Sequence, residues 1–134
     1  MTDKVFLDTS FIIALAFEND DNYKSAVELK NILSEDCYIN NSVVNEIVTV
    51  SNNKGDSIKA EIMFNFLIDN FTIINEYNVI NYNSKTMSIF NKHRGKLGFT
   101  DSGIITTMLE HDIQKLVTFD KAFKKEAHIE VIGI

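Results

Sequence analysis

Cysteine occurs once, at Cys37, so no internal disulfide can form and no pair of cysteines can hold zinc. A small core residue at the start of a strand is the reading left for it. Long apolar runs are missing as well: the uncharged stretch from Thr9 to Phe17 falls well short of the roughly 20 residues that a helical membrane span needs. The opening Met1-Thr2-Asp3-Lys4 carries no secretory pattern, so no membrane contact is expected and the expected location is the cytoplasm. Positive charge is scarce, with 13 Lys and Arg against 19 Asp and Glu, a net charge of −6 and a pI near 5.0. This argues against a basic protein that simply coats a nucleic-acid backbone. Proline is absent and Arg94 is the only arginine; together with the abundance of Asn and Ile this looks like codon bias, and no chemistry is drawn from it.

What the chain does have is an alternation of apolar runs and helical patterns over 134 residues, enough for one domain that buries about two-thirds of its unfolded surface. It is organised around Val5-Phe6-Leu7-Asp8-Thr9-Ser10. Three apolar residues read as a buried parallel strand that delivers a carboxylate to its own C-terminal tip. Thr9 and Ser10 are good N-cap residues for the apolar helix that follows. Ligands of open α/β sheets bind beyond the carboxyl ends of the strands, which makes Asp8 a candidate for chemistry; capping the helix is the competing role.

Further along, Tyr23 to Leu33 reads as an amphipathic helix and Cys37-Tyr38-Ile39 as a short strand. Asn40-Asn41-Ser42 offers three successive caps for a helix over Ser42 to Val50. At 100° per residue its valines and Ile47 fall within an arc of roughly 160°, with Glu46 about 40° beyond the edge. Asn52 to Asp56 breaks that helix, and Ser57 to Asp69 makes another with more large apolar residues than one narrow stripe can hold. Deep burial and a partner surface both account for the surplus. Phe71 to Ile74 reads as a third strand, Asn78 to Lys92 as helical, and Gly95 and Gly98 as loop. Asp101 stands at the N-terminus of the apolar helix Ser102 to Leu109, Lys115 to Phe119 is a fourth strand ending at Asp120, and Ile129 to Ile132 closes the chain. The pattern predicts an α/β fold.

Asp8, Glu46, Asp101 and Asp120 therefore stand at strand ends or in first helical turns, and a parallel sheet would gather all four at one edge. Clustered carboxylates repel and raise each other's pKa unless a cation lies between them. A hard divalent ion, Mg²⁺ or Mn²⁺, takes oxygen ligands and activates water for phosphodiester hydrolysis. Local basic groups exist despite the net charge: Lys85, Lys92, Arg94 and Lys96 lie in an acid-free segment from Asn83 to Thr100, and Lys121, Lys124 and Lys125 follow Asp120. A solvated face and a phosphate-binding role are both open for Lys92, Arg94 and Lys96. For His93, His111 and His128 surface placement is expected.

The ordered set VFLDTSFIIAL, SVVNEI, LGFTDSGIITTML and LVTFDKAF resembles the PIN-domain family, in particular the VapC-like toxin ribonucleases of toxin–antitoxin pairs. The resemblance runs nearly end to end. It implies a three-layer αβα sandwich with a central, mainly parallel sheet, a single nuclease domain over residues 1–134, and metal-dependent RNA cleavage. By the same resemblance Asp8, Glu46, Asp101 and Asp120 match the acidic quartet, with Asp8 and Asp101 as direct metal ligands and Ser10 and Thr118 as supporting polar groups. A small antitoxin and a homodimer are the implied partners. Ser102 departs from the usual alanine, and Gly103 weakens its helix. The alternative is a PIN-like RNA-binding or scaffolding module with little cleavage, although such a module has no need of all four acids.

Overall fold

The computed structural model describes residues 2–134. Five parallel strands form one sheet in the order β3-β2-β1-β4-β5, with β1 at Lys4–Leu7, β2 at Asp36–Asn40, β3 at Thr72–Ile74, β4 at Lys115–Val117 and β5 at Glu130–Ile132. Val5, Phe6 and Leu7 occupy the middle of the sheet and are closed off on both faces, which is why this strand is apolar without alternation. The chain runs outward from β1 to β2 and β3, then returns to build β4 and β5 on the other side. The switch point thus lies between the carboxyl ends of β1 and β4, where the sheet leaves a crevice.

Six helices complete the αβα sandwich: α1 (Thr9–Ala16), α2 (Tyr23–Glu28), α3 (Asn41–Lys54), α4 (Ser57–Asn70), α5 (Tyr82–Lys92) and α6 (Phe99–Glu110). α1 packs on α2 and α3, α3 on α4, and α5 on α6. The start of α3 is secured twice. Asn40 Oδ1 accepts from the Val43 N–H at 3.1 Å, and the fully buried Glu76 accepts from the N–H groups of Asn41 and Ser42, each at 3.0 Å. A carboxylate at that end also complements the positive pole of the helix. Asp56 caps α4 in the same manner, accepting from Lys59 N–H at 2.8 Å.

Several expected boundaries move. The helix expected over Tyr23 to Leu33 stops at Glu28 and continues as a 3-10 turn over Lys30–Ser34, so that Cys37 can enter the core with its thiol donating to Ile32 O. Asn52, Asn53 and Lys54 extend α3 instead of breaking it, and the break falls at Gly55. The fourth strand ends at Val117, not Phe119, because Thr118 and Asp120 turn away into a 3-10 turn over Lys121–Lys125. Gly103 has a packing reason: a Cβ there would run into the Tyr82 hydroxyl of α5, so glycine lets α5 and α6 approach this closely.

Candidate active site

Asp8 follows β1 directly, and its amide still donates to Val117 O of β4 at 3.0 Å, which places it on the crevice. Its carboxylate makes no capping hydrogen bond to α1, although its backbone occupies the cap position. Oδ2 instead accepts from Thr118 Oγ1 at 2.7 Å and from Ser10 Oγ at 2.8 Å. Those two hydroxyls lie 3.2 Å apart, Ser10 Oγ also accepts from Phe119 N–H at 3.0 Å, and Thr118 Oγ1 from Asp120 N–H at 3.0 Å. The first turn of α1 and the segment after β4 are thereby laced together behind Asp8.

The other three acids arrive from separate elements. Glu46 sits on the second turn of α3, and its Oε1 accepts from Thr9 Oγ1 at 3.4 Å. Asp101 lies in the first turn of α6. Asp120 caps the 3-10 turn after β4, with Oδ1 accepting from Ala122 N–H at 3.0 Å. Asp8, Glu46, Asp101 and Asp120, with Thr9, Ser10, Ile13 and Val50, line one cleft of about 290 Å³ at the carboxyl edge of the sheet. Thr118 stands behind Asp8, fully buried.

No cationic side chain lines this cleft, and the electrostatics follow. Burial pushes Asp101 up to about 7, helped by the negative charges of Asp8, Asp120 and Glu46. Glu46 is raised by lost solvation and by Asp8, against the Thr9 hydrogen bond. Asp8 is raised by burial, with Thr118 and Ser10 working the other way. Lost solvation first, and at Asp101 and Glu46 repulsion by neighbouring carboxylates second, hold these carboxyls above their ordinary range, and a cation between them would act in the opposite direction. Among the described residues no group of three or more His, Cys, Asp and Glu side chains is gathered closely enough to hold a metal ion by itself. The acids line an open cleft, which suits an ion that keeps several water ligands and takes only one or two carboxylates, as Mg²⁺ does. The all-oxygen donor set fits Mg²⁺ or Mn²⁺ and disfavours zinc.

The basic segment lies outside the cleft lining. Lys92 is engaged within the fold: its Nζ meets Glu126 at 3.0 Å, and His93 Nε2 meets the same carboxylate at 2.9 Å. His93 is buried, against the surface placement expected of it, because Glu126 is buried and requires partners. Burial pushes the Glu126 carboxyl up, but hydrogen bonds from His93 and Lys92 outweigh it and hold the group below its ordinary value. Arg94 and Lys96 are exposed on the turn that follows. Thr9 escaped the sequence reading as a partner of Glu46, and so did Glu76, which also stands just past a strand end. The rule that found Asp8 would have found Glu76, yet this carboxylate caps α3 and does not reach the cleft.

Comparison with known proteins bears on the family and the fold. The PIN domain family matches residues 5–129. No curated protein matches in sequence. Among solved structures, VapC20 of Mycobacterium tuberculosis, described as a sarcin-ricin-loop-cleaving toxin, superposes with a TM-score of 0.80 at 21% identity, over 95% of this chain and 98% of that one. A toxin–antitoxin complex from Klebsiella pneumoniae gives a TM-score of 0.70 at 18% identity, over 96% and 95% of the two chains. VapBC2 from Rickettsia felis, bound to a promoter DNA fragment, gives 0.65 at 17%, over 96% and 97%.

Proposed function

Since the chain belongs to the PIN-domain family, we propose that it is a divalent-metal-dependent ribonuclease, the toxin of a toxin–antitoxin pair, acting in the cytoplasm as a single domain over residues 1–134. The observation that carries this reading is the meeting of Asp8, Glu46, Asp101 and Asp120, from four separate elements, around one cleft without a compensating cation. Asp8 and Asp101 would hold the ion, Mg²⁺ or Mn²⁺, which supplies an activated water and charge neutralisation at the phosphate when bound. Glu46 and Asp120 would orient the water and the leaving oxygen from the two sides of the cleft. Ser10 and Thr118 fix Asp8 by donating to Oδ2, which leaves its orientation independent of the ion.

Phosphate contacts would come from Arg94 and Lys96, with Lys92 contributing through the turn that it and His93 anchor to Glu126. An antitoxin segment would cover the apolar groove of about 350 Å³ between α1 and α4, lined by Phe11, Leu15, Ile62, Met63, Phe66 and Phe71. Elsewhere on α4, exposed Phe64, which shares a separate pocket with Val44 and Val48 of α3, and exposed Ile68 would supply a face for a homodimer. No helix of the described residues is long and apolar enough to cross a membrane.

The purified protein is expected to cut RNA with Mg²⁺ or Mn²⁺ and to be silent in excess chelator. Asp8→Asn and Asp101→Asn should each abolish cleavage while leaving the circular dichroism spectrum unchanged. Cleavage that survives chelator, with both variants silent, would remove the metal from the reading; cleavage that survives in both variants would mark a contaminant.

A further inference from the structure

Asn40 ends β2 two residues beyond Tyr38, just as Asp8 stands two residues beyond Phe6, and Phe6 and Tyr38 are register partners. It is thus the neighbouring strand's counterpart of Asp8, at the same level of the sheet and fully buried. Both ends of its amide are used. Oδ1 caps α3 through the Val43 N–H at 3.1 Å, and Nδ2 donates to Thr107 Oγ1 of α6 at 3.1 Å. Thr107 Oγ1 in turn donates to Gly103 O of its own helix at 2.8 Å, so it must accept from Asn40. The amide orientation is therefore set from both sides, since reversal would point two donors at the Val43 N–H and two acceptors at each other.

The two helices joined in this way are those that carry Glu46 and Asp101 across the cleft. Among the paired buried side chains near the carboxyl edge, Asn40 bonds to both: it meets α3 at Val43, within one turn of Glu46, and α6 through Thr107, six residues after Asp101. An aspartate would cap α3 equally well but could not donate to Thr107, and a serine would be too short to reach it.

We propose that Asn40 is a positioning residue, which through Thr107 sets the separation of the Glu46 and Asp101 carboxylates and so tunes the cleft for its metal ion. This rests on the metal-dependent reading of the site. Thr107→Val removes the acceptor at nearly constant shape, and Asn40→Ser keeps the cap while losing the reach. Each should weaken Mn²⁺ affinity roughly tenfold, the scale seen when groups supporting metal ligands are lost. The double variant should be no weaker than either single one, because both break one connection. Thr107→Ser, which keeps the hydroxyl, should bind Mn²⁺ as the wild type does. Ile105→Val, a truncation in the same buried stretch of α6, supplies the control for lost stability.

Free Mn²⁺ measured by electron paramagnetic resonance, with RNA cleavage followed in parallel, decides the matter. Thr107→Val that binds Mn²⁺ as tightly as Ile105→Val overturns the proposal, and so does an additive loss in the double variant. Loss in Asn40→Ser alone would show that the effect does not pass through Thr107 and overturn it equally. Wild type that binds Mn²⁺ with the expected pattern of variants but leaves RNA intact would overturn the ribonuclease reading and support this one. Wild type that binds no Mn²⁺ would overturn both.

Discussion

Asp101 shares the cost of the site with Asp8 and Glu46, whose carboxyls are also raised. Its carboxyl is pushed from 3.8 to about 7 by burial and by the charges of Asp8, Asp120 and Glu46. Folding therefore favours the protonated form, and the folded chain takes up a proton that the unfolded chain has already released between those two values. The stability contributed by protonated Asp101 is complete below about pH 3.8 and is lost as the pH rises to about 7. With chelator present, the wild-type melting temperature should fall more steeply across that window than that of Asp101→Asn, which carries no such proton. Saturating Mn²⁺ should restore wild type at neutral pH and do less for the variant, since only binding to the folded state stabilises it. Melts at the two ends of the window, with chelator and with Mn²⁺, give the comparison. Parallel slopes in chelator would mean that the Asp101 carboxyl titrates at its ordinary value.

At the scale of elements, the contact between α5 and α6 decides where Asp101 can be. Ser102 to Met108 are all buried, an uncommon run for a helix, and its close approach to α5 depends on Gly103 beneath Tyr82. Thr86 and Thr106 share a hydrogen bond of 3.0 Å across the same contact. Gly103→Ala would gain about 1 kcal/mol of intrinsic helix propensity. The methyl group would meet the Tyr82 hydroxyl, however, and overpacking of this kind costs about 1–3 kcal/mol. A net loss of stability is expected in chemical denaturation, and Tyr82→Phe, which removes the obstructing oxygen, should recover part of it. Gly103→Ala that proves more stable than wild type would show that α5 yields without strain. The same contact explains why a residue that weakens α6 on propensity grounds stands in its middle.

Over the whole molecule, charge of one sign is separated by region. The net charge is −6, and four of the acids that make it are gathered in the cleft, so the proposed RNA substrate would have to be held by cations outside the cleft lining. Lys92 is exposed but already meets Glu126, which leaves Arg94 and Lys96 as the exposed cations of that turn with no ion pair among the described residues. The double variant Arg94→Ala/Lys96→Ala should bind RNA more weakly, and its log–log salt slope should shrink by about 0.7 for each phosphate of a single strand that is no longer neutralised. Mn²⁺ affinity should stay the same, since neither residue lines the cleft. Binding titrations at several salt concentrations measure both effects, and an unchanged slope would return the turn to a solvated surface.

Much of this architecture is written locally. Val5-Phe6-Leu7 reads as a buried strand with a carboxylate next to it, so the position of Asp8 at a strand end and the order of the four acids along the elements were legible from the chain, while the choice between cap and cleft was left open. A cap was legible too: Asn40 is one of the three successive capping residues ahead of α3, and the fold selects it, whereas the Asp56 cap of α4 was read only as part of a break. What the tertiary structure decided are the relations between residues far apart in sequence. Asp8 and Thr118 are 110 residues apart and meet only because β1 and β4 are neighbours across the switch point. Glu76 and Asp8 obey the same local rule, yet Glu76 ends on the outer strand's side, where the free end of α3 claims it. His93, expected at the surface, is drawn inward by a carboxylate 33 residues away. Local sequence determines which groups need partners, because propensity and burial act on neighbours along the chain. Only the packed fold determines which partners they find, because hydrogen bonds and charge act through space over a few ångströms.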